Sequence, residues 1–171
     1  MSNLPSNFEE AIKNAKRLSN KILIDGKLIS PSTDNKIKVI NPSTGENIGE
    51  APQCDKNDVD HAVKSSLNAF KEWKKIPARE RGRLVELGAR NLEERKGEIE
   101  TLLSLDTGNA LRTQAKPETA ASIELTRMFA GLSGEIKGEN YPPNIANTLH
   151  FTTRDPIGVV SVSYTHLTLP T

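Results

Sequence analysis

Arg154-Asp155-Pro156-Ile157-Gly158-Val159-Val160 is the stretch on which the reading of this chain turns. Ile157 to Val160 is a short apolar, β-rich run just past a proline, the pattern of a buried strand. In a large α/β protein such a run opens a nucleotide-binding sheet. The residues before it therefore read as preparation for that sheet, and the fold class they indicate is α/β.

Working back from this run, residues 148–154 alternate. Leu149, Phe151 and Thr153 fall on one face, with Thr148, His150, Thr152 and Arg154 on the other. Such spacing predicts a strand with one apolar face. It follows Tyr141-Pro142-Pro143, where a helical pattern gives way to period two.

Four helices are predicted upstream. Asp55 or Asn57 can cap the first, whose apolar face runs Val59, Ala62, Val63, Leu67, Phe70 and Trp73. Pro77 suits the first turn of the second, which should carry Leu84, Val85, Gly88 and Leu92 inward. The third holds Ile99, Leu102, Leu103 and Leu105 and closes at Gly108. Pro117 opens the fourth, with a stripe of Leu125, Met128 or Phe129, Leu132 and Ile136. These stripes read as core packing.

Further upstream lie small strands. Two β-prone runs in Lys21–Ile29 flank Asp25-Gly26, a dipeptide suited to a type I′ turn. Lys36–Ile40 forms another strand, Asn41-Pro42 and Thr44-Gly45 turn the chain, and Glu46–Glu50 runs back. Phe8, Ile12 and Ala15 recur at helical spacing, so Asn7–Ser19 is predicted as an amphipathic helix docked on the body.

The bulk properties narrow the function. With 23 Lys plus Arg against 22 Asp plus Glu in 171 residues, no net field steers nucleic acid or an anionic membrane. Lys71, Lys74 and Lys75 cluster near Trp73, but Glu72 among them marks a solvated helix face. Hydrophobic residues make up 35% of the chain, a low share for a self-sufficient globule. Such a share fits polar-faced helices, or apolar faces that pack on something further. The single cysteine, Cys54, excludes an internal disulfide and fits a reducing compartment. No signal-peptide or transmembrane run is visible, so a cytoplasmic location is expected.

Ile40-Asn41-Pro42-Ser43-Thr44-Gly45-Glu46 resembles the aldehyde dehydrogenase superfamily, and the order of the surrounding motifs strengthens the likeness. Leu23-Ile24-Asp25-Gly26-Lys27 lies ahead of it. Behind it come Ala69-Phe70 with Trp73, Pro77-Ala78-Arg79-Glu80-Arg81, Leu105-Asp106-Thr107-Gly108, Ala130-Gly131-Leu132 and the opening stretch 154–160. Where many relatives have Lys-Pro after Gly108, this chain has Asn109-Ala110, which leaves the subfamily open.

The resemblance implies an N-terminal part of an aldehyde dehydrogenase-like fold, ending before the dinucleotide-binding sheet. Residues 1–20 would be an amino-terminal extension. Residues 21–138 would give the hairpins and helices that pack on a Rossmann-like domain, and 139–156 the oligomerisation arm. Residues 157–160 would start the first Rossmann strand. Residues 161–171 bear no likeness to the family's Pro-x-Asn segment and are expected to be foreign read-through from an assembly or cloning junction.

The implied chemistry is NAD- or NADP-dependent oxidation of an aldehyde to an acid. A cysteine thiolate attacks the carbonyl, hydride leaves to the nicotinamide, and a glutamate-activated water hydrolyses the thioester. An asparagine amide and the cysteine N–H stabilise the oxyanion. In the family these groups lie beyond the matched stretch, so no catalytic or cofactor-binding residue is assigned and the chain alone is expected to be inactive. Cys54 reads as an inert thiol, and His61, His150 and His166 have no zinc-site spacing. Gly131, Gly134 and Gly138 end a helix where a phosphate cradle would begin one.

One site carries over by resemblance, a structural sodium or potassium ion held by Val39, Ile40 and Asp106, with a further ligand outside this chain. The alternative is that Asp106 simply hydrogen-bonds Gly108 or Asn109. The full enzyme is expected to be a homodimer or homotetramer with a small aldehyde as substrate and neither nucleic acid nor membrane as partner. Two other readings stay open: a non-catalytic helical module pairing through its strand arm, and a CoA-acylating aldehyde dehydrogenase.

Overall fold

The computed structural model describes residues 6–162. Its first element, α1 (Ser6–Leu18), is the predicted amphipathic helix, and its apolar face is seated on the body. Ala11 is buried against Ile48 and Leu105, with Phe8, Ile12, Val39 and Leu102 packed around them. This cluster is the principal hydrophobic centre, and it is small.

β1 (Ile22–Ile24) and β2 (Lys27–Ile29) pair antiparallel, with Ile24 opposite Lys27. Asp25 and Gly26 have φ of 54° and 69°, the two positive values that a type I′ turn demands. β3 (Lys36–Ile40) pairs antiparallel with β4 (Asn47–Pro52). The Asn41–Gly45 turn between them is held by its own side chain. Asn41 is buried, its Oδ1 accepts from the Ser43 N–H at 2.9 Å, and its carbonyl accepts from Gly45 N–H at 2.8 Å. An asparagine here mimics a backbone turn.

α2 (Lys56–Trp73) begins at Asp55, not Asn57, because Asp55 and Asp58 form a reciprocal capping box. The box also fastens the preceding loop: Ser32 Oγ donates to Asp55 at 2.7 Å and Ser32 N–H to Asp58 at 2.9 Å. α3 (Ala78–Glu94) follows Pro77, whose carbonyl accepts from Glu80 and Arg81 N–H. α4 (Lys96–Thr107) ends at Gly108 with φ of 74°, the left-handed cap foreseen from the sequence. A π-helical turn, Leu111–Ala115, leads into α5 (Lys116–Gly131), where Pro117 sits in the first turn.

The helix faces depart from expectation in three places. The predicted α2 stripe is open, with Val59, Val63, Leu67 and Trp73 exposed, because α2 touches little besides β1. In α3 it is Gly82 and Ala89 that are buried, while Gly88 is exposed and Leu92 largely so. The reason is close approach: a Cβ on Gly82 would collide with the Ser133 hydroxyl and lie 2.5 Å from the Ala130 carbonyl. α5 likewise buries Thr119, Ile123 and Ala130 and leaves Leu125, Met128 and Phe129 exposed; it ends at Gly131, so the Leu132 and Ile136 expected on its stripe lie beyond it, exposed as well. Helices α3 and α5 meet through small residues, so their larger apolar residues point elsewhere. The low apolar share of the sequence and these open stripes are one observation.

β5 (Asn140–Tyr141) and β6 (His150–Phe151) make a brief antiparallel ladder, shorter than the strand expected over 148–154. Residues 157–160 lie in no strand, and Gly158 has φ of 113°. A strand needs a neighbour to complete its hydrogen bonds, and no other strand lies beside this run among the described residues. The carboxy-terminal segment expected to be foreign falls, from residue 163 onward, outside the described residues, as does His166. No helix among the described residues is long and apolar enough to cross a membrane.

Candidate functional site

The end of β3 and the end of α4 converge. The Cβ position of Gly108 would lie 2.8 Å from Pro42 Cγ, so the Asn41-Pro42 turn abuts the α4 cap. Val39 and Asp106 consequently line one cavity of about 410 Å³ between α1, the β3–β4 pair and α4. Ile40, the third residue assigned by resemblance, is beside them in sequence but does not line the cavity.

The backbone is irregular at this point. Val39 pairs with Gly49 and Ile40 with Asn47, so Ile48 is an extra residue on β4 and the ladder is interrupted at a bulge. A bulge leaves main-chain groups locally without their regular partners. Asp106 is exposed, and among the described residues no hydrogen bond to its carboxylate is found. Gly108 N–H donates to the Ser104 carbonyl at 3.0 Å, and Asn109 N–H to Thr107 Oγ1 at 3.2 Å. A carboxylate is a hard oxygen donor, of the kind that suits an alkali or alkaline-earth cation better than zinc or copper. The rest of the cavity wall is largely aliphatic, from Leu18, Ile48, Ile99, Leu102 and Leu103. Glu50 also lines it, with its carboxylate 3.2 Å from Lys36 Nζ.

Ala15 and Leu18 of α1, with Ser19 just past its end, line this cavity, a role the sequence reading did not assign. The signal was present, since the spacing of Phe8, Ile12 and Ala15 continues to Ser19 one turn later.

The remaining candidates are dispersed. Cys54 is exposed between β4 and α2. Desolvation pushes its thiol up from the ordinary value, and the Asp58 and Asp55 carboxylates add to this. A thiol shifted upward carries less thiolate at neutral pH and is a poorer nucleophile. His61 and His150 are both exposed on separate elements, and no group of three or more His, Cys, Asp or Glu among the described residues could hold a metal ion. The lysine cluster is a solvated face: Lys75 pairs with Glu72 at 2.8 Å, Lys71 donates to Asn68, and Lys74 lies 5.7 Å from the Phe70 ring.

A small hairpin layer, a helical layer with open apolar stripes and a largely aliphatic cavity make up a partial α/β architecture. The model of the aldehyde dehydrogenase family matches residues 29–164. Aldehyde dehydrogenase tropH of Talaromyces stipitatus is 35% identical over 152 residues, covering 88% of this chain and 29% of that protein. Cytosolic 10-formyltetrahydrofolate dehydrogenase of Xenopus tropicalis is 32% identical over 151 residues, covering 85% of this chain and 17% of that protein. The crystal structure of betaine aldehyde dehydrogenase from Staphylococcus aureus in complex with NAD+ superposes with a TM-score of 0.77 at 26% identity, covering 85% of this chain and 29% of that one. This chain belongs to the aldehyde dehydrogenase family. It spans less than a third of the length of these relatives.

Proposed function

We propose that this chain is the amino-terminal part of an NAD(P)-dependent aldehyde dehydrogenase that oxidises a small aldehyde to its carboxylic acid. The match across residues 29–164 carries the reading. The likeness to an NAD+-bound betaine aldehyde dehydrogenase supports a nicotinamide cofactor. Within that enzyme, residues 21–138 supply part of the cofactor-binding domain, 139–156 the arm that reaches a second copy in a homodimer or homotetramer, and 157–160 the first strand of the dinucleotide sheet. Residues 161–164, read from the sequence as foreign, fall inside the family match, and 165–171 lie beyond it. A cytoplasmic setting accords with the relative whose name carries the word cytosolic.

On this reading the chain by itself is inactive, because neither Cys54 nor the dispersed histidines His61 and His150 are placed to act as nucleophile or base. Val39 and Ile40, through their carbonyls, and Asp106, through its carboxylate, hold a sodium or potassium ion that ties β3 to α4. The ion supplies a fixed positive charge at that junction.

A chimera provides the test. Residues 21–160 replace the matching segment of a full-length family enzyme, and NAD reduction with an aldehyde is followed. The chimera is expected to assemble and turn over. A well-folded, oligomeric chimera without turnover would overturn the proposal, as would aldehyde-dependent NAD reduction by the chain alone.

A further inference from the structure

A second cavity, of about 550 Å³, lies between the last turn of α2, the first turn of α3 and residues 154–156. Its lining is of two kinds. Phe70, Trp73 and Ile136 supply an apolar, mainly aromatic wall, whereas Lys74, Arg81 and Arg154 bring three cations. Asp155 is the one carboxylate among the lining residues, so positive charge is in excess.

Little nearby consumes that charge. Glu72, the acid closest to Lys74 in sequence, is taken by Lys75 at 2.8 Å, and Glu135 by Lys137 at 2.6 Å. Arg81 spends one N–H on the Ile76 carbonyl, which leaves the other donors of its guanidinium fork. The carbonyls that end α2 are occupied by backbone N–H groups: Phe70 by Lys74 at 3.0 Å, Glu72 by Lys75 at 3.0 Å and Trp73 by Ile76 at 3.1 Å. They therefore do not compete for the side-chain cations. α3 begins beside the same space, at Ala78, with no side-chain cap on its positive end.

We infer that this cavity is a binding site for a small aromatic carboxylate. The ring lies against Phe70 and Trp73, and the carboxylate faces Lys74, Arg81 and Arg154. A concave, largely apolar wall with a few converging polar groups is the usual form of a small-molecule site, and the volume suits one. Aromatic faces take a flat ring, and guanidinium groups match a carboxylate in geometry as well as charge. Because α2 packs on little besides β1, a bound anion also ties its last turn to α3 and residues 154–156. Such a site does not depend on the dehydrogenase reading.

Trp73 is the single tryptophan of the chain, so its fluorescence reads the cavity directly. The purified chain is titrated with benzoate, with benzyl alcohol and with inorganic phosphate, at neutral pH and equal ionic strength. Benzoate is expected to give a saturable change in emission that neither the neutral ring nor the bare anion reproduces. Arg154→Gln and Lys74→Gln should each raise the benzoate Kd about tenfold. Asp155→Asn, which removes the one opposing charge, should lower it. All three side chains are exposed, and circular dichroism checks that each variant keeps its helix content. A response to benzyl alcohol equal to that for benzoate would reduce the site to an apolar patch and overturn it. An equal response to phosphate would reduce it to a basic surface and do the same. So would a linear, non-saturating response, or a benzoate Kd indifferent to all three substitutions.

Discussion

Gly108 and Pro42 are in contact across the junction of α4 with the β3–β4 turn, and at a φ of 74° Gly108 has room for nothing larger. A Cβ at this position would press on Pro42 Cγ at 2.8 Å, and the proline ring has no free rotation with which to retreat. Gly108→Ala is therefore expected to cost about 1–3 kcal/mol from the left-handed backbone alone, with the contact adding to it. Chemical denaturation of the two chains measures this. Loss of less than about 0.5 kcal/mol would show that α4 and the turn are not locked together.

The two glycines of α3 should behave in opposite ways. Gly82→Ala forces α3 away from Ala130 and Ser133, and such overpacking costs about 1–3 kcal/mol. Gly88→Ala meets nothing within 4 Å, and replacing a helical glycine by alanine on an open face stabilises by about 0.5–1 kcal/mol. Midpoints of thermal unfolding would separate the pair. If both variants were destabilised alike, the crossing of α3 on α5 would be wrongly placed.

Acid should loosen the start of α2. The Asp55 carboxyl is held below the usual aspartate range, first by the Ser32 hydroxyl and then by the N–H groups of Asp58 and Asn57. A lowered value means that its contribution is full above the ordinary aspartate value and is lost as pH falls through the lower one. Asp55→Asn can still cap a helix but cannot titrate, so its stability should be flatter at acid pH. Circular dichroism of helix loss against pH is the measurement. An unchanged acid profile in Asp55→Asn would assign the acid sensitivity to other carboxylates.

On the open face of α2, Leu67→Gln is expected to change stability by less than about 0.5 kcal/mol, as exposed substitutions do. In the chimera described above, where the face is covered on the proposed reading, the same change should cost about 2–5 kcal/mol, near the Leu→Ala range for buried sites. Equal effects in both settings would mean that nothing covers α2.

Local chemistry was legible in the sequence, whereas the choice of which apolar residues are buried was not. Asp25-Gly26, Asn41-Pro42, Asp55 and Gly108 each act through backbone geometry that a few neighbouring residues determine, and each is found where its type implies. The stripes of α2 and α5 are clear in the sequence, but helical spacing says only that a face is apolar. It does not say that a second surface lies against it. Gly82 and Ala130, the residues that do meet, are small and give no periodic signal. Family likeness named Val39, Ile40 and Asp106 as a cation site; Val39 and Asp106 line one cavity and Ile40 does not. The part of α1 in that cavity depends on how two distant segments pack, which no motif encodes.

Helix α4 packs on α1 and also on α3 and α5, whereas α1 and α3 share at most marginal contact among the described residues. Among the described residues, the α1–β4 side and the α3–α5 side meet chiefly through it. Cooperativity in this molecule therefore passes through one helix of twelve residues. Hydrogen exchange should find α4 amides the slowest, with the α1–β4 side and the α3–α5 side able to exchange as separate blocks around them.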